Sequence, residues 1–309
     1  MIKVYKTNAR INDTKKINTM AVDSWIDLVN PTNEEIEIVS KKTKISTELM
    51  NKMLDADELP RVEIDKNAKL IVIDTPVINE ERKYDTYPLG IIITNNYIVT
   101  ISTKKIKFLD DFKKSTKNFS TGKKSRFLIQ LILKSTSKYI SILNEVNKDI
   151  KRKEKELVKS TKNKDITDLL SIEKTLVYFI TSLKENSAVL ERLRKGNIIQ
   201  LYEGDLDLLE DAVIEINQAI DMSTIYRDIL SSITDTYATI ISNNLNNMMK
   251  FLAGVTIVLS IPTMISSFLG MNVKLGIIGN NPYSAWAILG LSIILSILVA
   301  IWLKKKDML

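Results

Sequence analysis

The sequence predicts an α+β membrane protein: an N-terminal cytoplasmic α/β domain, long stalk helices, and a C-terminal two-helix transmembrane hairpin. Three observations carry this. Residues 251–269 and 285–303 are apolar runs without a charge. Short β-branched runs separated by turn residues recur over residues 1–125. From Arg126 the apolar residues take helical spacing and keep it.

MIKVY, WIDLV, KLIVIDTPV, GIIIT and YIVTIS are rich in Val and Ile and sit between turn signals. Helical spacing marks 32–42 and 45–54. Thr32 with Glu35 three residues on forms a capping box, which turns Ile36 and Val39 toward the core. Residues 126–160 place Phe127, Ile129, Leu131, Ile132, Tyr139, Ile140, Leu143 and Val146 on a helix that ends in the charged stretch KDIKRKEKELVK. That stretch reads as a solvated tip. STKNKD makes a turn, and 165–195 form a second helix with Leu169, Ile172, Leu176, Phe179, Leu183, Val189 and Leu193, stopped by Gly196-Asn197. A third helix begins near Asp205 and meets no breaker before Pro262. At 1.5 Å per residue it would reach ~85 Å and join the cytoplasmic part to the membrane as a stalk.

Each apolar run is 19 residues long and covers ~28 Å, close to the hydrocarbon thickness. Two buried core helices are the competing reading. Lys250 precedes the first run, and Lys304, Lys305 and Lys306 follow the second, while the loop between holds only Lys274. Positive flanks stay inside, so both termini are expected in the cytoplasm, with the protein multi-pass in the cell membrane. Tyr283, Trp286 and Trp302 stand where interfacial anchors belong.

The first run carries a polar seam. Asn246, Met249, Ala253, Thr256, Ser260, Thr263, Ser267 and Gly270 are spaced alternately three and four residues apart, on one helical face. The seam continues backward through Ser242, Thr239, Asp235, Ser232 and Asp228. Two readings stand. Small polar residues mediate helix packing in membranes. Alternatively, several copies surround an aqueous path, because two helices alone enclose no channel. Pro262 leaves one backbone carbonyl without its donor, and neighbours or water must satisfy it.

Composition narrows the chemistry. The 309 residues include no cysteine and no histidine. Disulfides, thiol nucleophiles, imidazole bases and Cys/His zinc sites are therefore excluded. A metal must be held by oxygen, which suits hard cations. The net charge of +7 falls to +4 over the first 250 residues, a solvated surface and not a nucleic-acid footprint. No Walker loop, G-x-G-x-x-G or G-x-S-x-G occurs, so neither an enzyme nor an organic cofactor is expected.

Gly270-Met271-Asn272 closes the first span, a short loop follows, and the last span ends in lysines. With IPTMISSFLGMN and the upstream NNLNNMMKFL, this resembles the CorA family of magnesium transporters. WIDLVNPTNEEI, LDADELPR, PLGIIITNNYIVTIS, LVYFITSLKENSAVLERL and LLEDAVIEINQAIDMSTIYRDIL extend the resemblance over nearly the whole chain.

The resemblance implies a homopentameric funnel in which five copies of the first span line a pore and the second spans ring it. The corresponding parts are a cytoplasmic α/β domain (1–125), cytoplasmic antiparallel helices (126–204), a stalk (205–250) and the pore-lining span with its tripeptide (251–272). An outer loop (273–284), the second span (285–303) and a basic tail (304–309) complete the chain. It implies that Asn272 faces the hydrated cation at the outer mouth, with Gly270 and Met271 shaping the turn. Thr263, Asn246 and Asp235 match polar pore positions, and Thr256 lies on the same seam. Met249 and Leu252 match a hydrophobic constriction, and Ser260 holds a position that is often methionine in relatives. Mg2+ is then the transported ion and also a cytosolic regulator. Asp211 matches an acidic regulatory position, with Glu210 and Glu215 as nearby candidates. Two departures stand out: Leu269 replaces a frequent aromatic, and the outer loop VKLGIIGNNPYS has no acidic residue. Another divalent cargo (Co2+, Ni2+ or Zn2+) is one alternative, and a membrane-anchored helical scaffold or sensor is the other.

Overall fold

The computed structural model describes residues 1–8, 13–65, 67–78, 84–113, 119–159, 163–195, 198–271 and 283–308. The chain divides into two compact units, Met1–Ile233 and Thr234–Leu309.

The first unit is built on a seven-stranded sheet. Its strands are β1 (Ile2–Asn8), β2 (Asp13–Ile17), β3 (Ser24–Val29), β4 (Arg61–Asp65), β5 (Ala68–Ile78), β6 (Tyr84–Ile93) and β7 (Tyr97–Ser102). They lie in the order β2-β1-β3-β7-β6-β5-β4. Among the described residues only β3 and β7 run parallel, pairing Ser24 with Tyr97 through Val29 with Ser102. Every residue of β7 is buried, as expected of a strand covered on both faces.

One face holds α1 (Asn33–Thr43) and α2 (Thr47–Asn51), followed by a 3-10 turn at Lys52–Leu54. The capping box is present: Thr32 accepts from the Glu35 amide, and Glu35 accepts from the Thr32 amide. Ile36, Val39, Leu49, Met50 and Met53 pack with Ile26, Leu28, Val72, Val99 and Ile101. Gly90 admits Met53 there, since a Cβ at Gly90 would fall 2.1 Å from the Met53 sulfur.

Trp25, fully buried, is the hub of an aromatic cluster, meeting Phe127 edge-on at 5.1 Å and Phe119 at 6.4 Å. Phe112 of α3 (Leu109–Lys113) joins it. Beside it lies a buried ion pair, Asp27 with Lys113 at 2.7 Å, and Thr100 donates to the other Asp27 oxygen at 3.0 Å. Lys113 also meets Asp110, so the buried charges are compensated.

Two long helices, α4 (Lys124–Lys159) and α5 (Asn163–Lys195), pack against each other and against β5. Their apolar residues follow the expected faces: Phe127, Leu131, Tyr139, Leu143, Leu176, Phe179 and Leu183 are buried. α5 already begins at Asn163, inside the stretch STKNKD, and residues 160–162 of that expected turn lie outside the described residues. The stop at Gly196-Asn197 lies outside the described residues. α6 runs unbroken over Glu203–Leu269, through Pro262. Arg126 of α4 holds its first turn by pairing with Asp205 at 2.8 Å and donating to the Gly204 carbonyl.

The second unit holds the end of α6 and α7 (Ser284–Lys304). Both helices are long and apolar enough to cross a membrane, and almost none of that apolar surface is covered within the chain. That removes the reading of two buried core helices. α7 extends the apolar run 285–303 by one residue at each end.

A buried carboxylate ties β5 to α5. Asp74 accepts from Ser182 at 2.6 Å, and Asn186 bonds both the Asp74 amide and its carbonyl. Burial pushes the Asp74 carboxyl up to about 6, and the Ser182 bond only partly offsets this. The folded unit therefore holds this proton at a pH where the unfolded chain has lost it. Stability from this group rises as pH falls from 7 to 4, by at most about 3 kcal/mol. Asp74→Asn should raise the urea midpoint at pH 7.5, by roughly 1–3 kcal/mol of stability, and flatten its acid dependence. Trp25 fluorescence in a Trp286→Phe/Trp302→Phe background reads this. An unchanged pH slope would assign the dependence to another group.

Candidate pore-lining surface

The pairing of α6 with α7 decides which face of the first span is left open. Gly254 of α6 is buried, and Val258, Ile261, Pro262, Ile265 and Leu269 are half-covered. On α7 the matching residues are Ile288, Ser292, Ser296, Val299 and Leu303. The seam residues Thr256, Ser260, Thr263 and Ser267 are all exposed. At ~100° per residue the seam and the α7-facing stripe lie about 170° apart on the helix. The polar face is therefore the one that α7 leaves uncovered.

The hydroxyls are locally arranged in one way. Thr256 donates to the Leu252 carbonyl at 2.8 Å, Ser260 to Thr256 at 2.5 Å, and Thr263 to Leu259 at 3.0 Å. Each proton is thus used inside the helix, and the oxygen lone pairs remain on the open face. Such a surface offers acceptors. Water bound to a cation offers donors, so the two are complementary without any formal charge on the protein.

The other expected pore residues sit on the same helix. Asp235, Asn246, Met249 and Leu252 are described there, with Met249 and Leu252 exposing large apolar side chains. Lys250 stands among them, and Lys304, Lys305 and Lys306 follow the apolar part of α7, all exposed. Trp286 and Trp302 are exposed near the two ends of α7. At the end of the first span the Gly270 amide donates to the Ser266 carbonyl at 3.0 Å, and Met271 donates to Phe268 at 3.4 Å. A Cβ at Gly270 would meet Ser266 and Ser267 carbonyls at 3.5 and 3.6 Å, which is ordinary contact. Nothing in the chain's own described backbone demands glycine there. Asn272 and Lys274 lie outside the described residues.

The acidic candidates of the first unit are not brought together. Glu210 and Asp211 are exposed on α6, while Glu215 accepts from Ser137 of α4 at 2.8 Å. Among the described residues no group of three or more acidic side chains is arranged to hold a metal ion. Sequence reasoning also missed Ser292 and Ser296, whose signal was available: two hydroxyls four residues apart in an otherwise apolar span.

The family model described as CorA-like Mg2+ transporter protein matches residues 22–305. The cobalt/magnesium transport protein CorA of Methanocaldococcus jannaschii is 32% identical over 290 residues, covering 92% of this chain and 90% of that one. The protein of the same description from Thermotoga maritima is 20% identical, over 93% and 83%. The complete structure of the M. jannaschii CorA magnesium transporter superposes with a TM-score of 0.84 at 28% identity, covering 98% and 96%.

The chain has no cysteine, so single thiols can be placed at will. Cysteines at Thr256, Ser260 and Thr263 should react with a charged thiosulfonate in proteoliposomes about tenfold or more faster than those at Val258, Ile261 and Ile265. Only a wetted thiol ionises readily. Equal rates on both faces would deny the seam an aqueous environment.

Proposed function

The chain belongs to the family of CorA-like Mg2+ transporters, and from that premise we propose that it carries hydrated Mg2+ into the cell through a pore of five copies. The observation that carries this reading is the open hydroxyl face of Thr256, Ser260 and Thr263, directed away from α7. Five such faces around one axis would form a column of neutral acceptors. Asn272 stands at the outer mouth, where its amide meets the ion's water shell, with Gly270 and Met271 beside it. Asn246 and Asp235 continue the polar lining toward the cytoplasm. Met249 and Leu252 form the apolar constriction.

Magnesium gives up water reluctantly, so a site that binds its hydration shell avoids that cost. Neutral oxygens along the span hold the hydrated ion weakly enough to release it, and the carboxylate of the lining, Asp235, lies outside the apolar span. The membrane potential supplies ~2.3 kcal/mol per charge per 100 mV, so ~4.6 for a divalent ion. No catalytic step and no organic cofactor enter this scheme. Lys250 and the 304–306 lysines set both termini in the cytoplasm of the plasma membrane.

Regulation belongs to the acidic face of α6. Asp211 is exposed and available to a neighbouring copy, so a Mg2+ ion shared between copies would hold the closed state. Glu210 lies beside it. Glu215 is engaged by Ser137 and is the weaker candidate. Cobalt is the second cargo this reading admits, since the M. jannaschii relative is described as a cobalt/magnesium transport protein. The outer loop favours no cation by charge, because it holds Lys274 and no acid.

Uptake into proteoliposomes loaded with a Mg2+ indicator tests the reading. Asn272→Ala should reduce potential-driven uptake by at least about tenfold, since each of five copies loses a contact of ~1 kcal/mol. Wild-type rates in that variant would remove Asn272 from the path, and absence of flux of any divalent ion through the wild type would leave only a scaffold. Asp211→Ala should weaken inhibition by internal Mg2+ severalfold; unchanged inhibition would free Asp211 from the regulatory role.

A further inference from the structure

Pro262 breaks the hydrogen-bond ladder of α6 where the seam is most polar. A proline has no N–H, so the carbonyl four residues back, that of Val258, loses its helical donor. Val258 lies between Thr256 and Ser260, on the face toward α7. An unsatisfied carbonyl is costly in hydrocarbon, and here no water is expected on that face. The neighbouring helix presents a donor at this point. The hydroxyl of Ser296 on α7 lies 3.5 Å from the Val258 carbonyl oxygen and 2.9 Å from its own Ser292 carbonyl. One proton can be shared between the two in a three-centre bond. The neighbouring hydroxyls of Thr256, Ser260, Thr263 and Ser292 instead donate within their own helix.

We propose that Ser296 is a positioning residue for transport: it supplies to the Val258 carbonyl the donor that Pro262 withdraws, and so fixes the segment that presents Thr256, Ser260 and Thr263. The inference rests on the pore reading for its transport consequence, while its structural core stands without it. Proline and serine form a pair. The proline's missing donor gives the serine its partner, and the serine's proton keeps the proline from leaving a polar group in the membrane. Restoring an N–H at position 262 would make the serine's contribution redundant.

That redundancy is the test. Ser296→Ala, Pro262→Ala and the double variant are compared with wild type in detergent by thermal unfolding and in proteoliposomes by Mg2+ uptake. In the wild-type background Ser296→Ala should slow uptake about threefold, the size of an average interhelical hydrogen bond in a membrane, and lower the unfolding midpoint. In the Pro262→Ala background the same change should do neither, because the restored backbone amide at that position donates to the Val258 carbonyl itself. Ser296→Thr should keep uptake within about twofold of wild type. A serine that merely fills space would lower the midpoint equally in both backgrounds. Such additivity, or a threonine as poor as alanine, overturns the proposal. The midpoints report on the pair even if the wild type moves no ion, so failure of the pore reading and failure of this one give different results.

Discussion

Everything in the C-terminal unit follows from the cost of leaving polar groups bare in hydrocarbon. The backbone answers that cost by staying helical over both spans. The side chains cannot answer it alone. α7 covers one face of α6, and the hydroxyl seam lies on the opposite face. A stripe of Ser and Thr pointing at lipid would give up the acceptor capacity that its internal bonds leave unused. In the proposed pore that face would meet water along an axis shared by several copies. The break in the backbone ladder at Pro262 falls on the α7 side, where a serine stands opposite it.

The chemistry that results is mild by construction. The span itself carries no histidine, cysteine or carboxylate, so its side chains offer a cation only neutral oxygens. Its seam hydroxyl protons are committed to carbonyls one turn back, which leaves acceptors outward. This suits an ion that travels inside its hydration shell. The acidic residues of α6 stand elsewhere, outside the apolar span.

Much of the fold was legible because it rests on local rules. The Thr32–Glu35 box, the β-branched runs and the helical spacing from Arg126 each encode their element directly. The strands β2 and β4 were not legible. DTKKI and RVEID carry charges at nearly every second position and lie at the two edges of the sheet, where one face is solvated. α3 was missed for its brevity; its place is fixed by Phe112 and Lys113 reaching the aromatic cluster and Asp27, contacts that sequence spacing does not reveal. At the candidate site the seam was visible as a three-four alternation. Which way it faced was not, because that depends on α7. Ser296 was visible as a hydroxyl four residues from Ser292, but its partner, a backbone carbonyl 38 residues away, was not.

The central claim is that the seam faces an axis shared by several copies, and the mass of the detergent-solubilised particle tests it most directly. Native mass spectrometry should show five chains of 35.1 kDa each. A particle that remains one or two chains under conditions that preserve Mg2+ uptake would contradict the pore, because one or two such hairpins enclose no path.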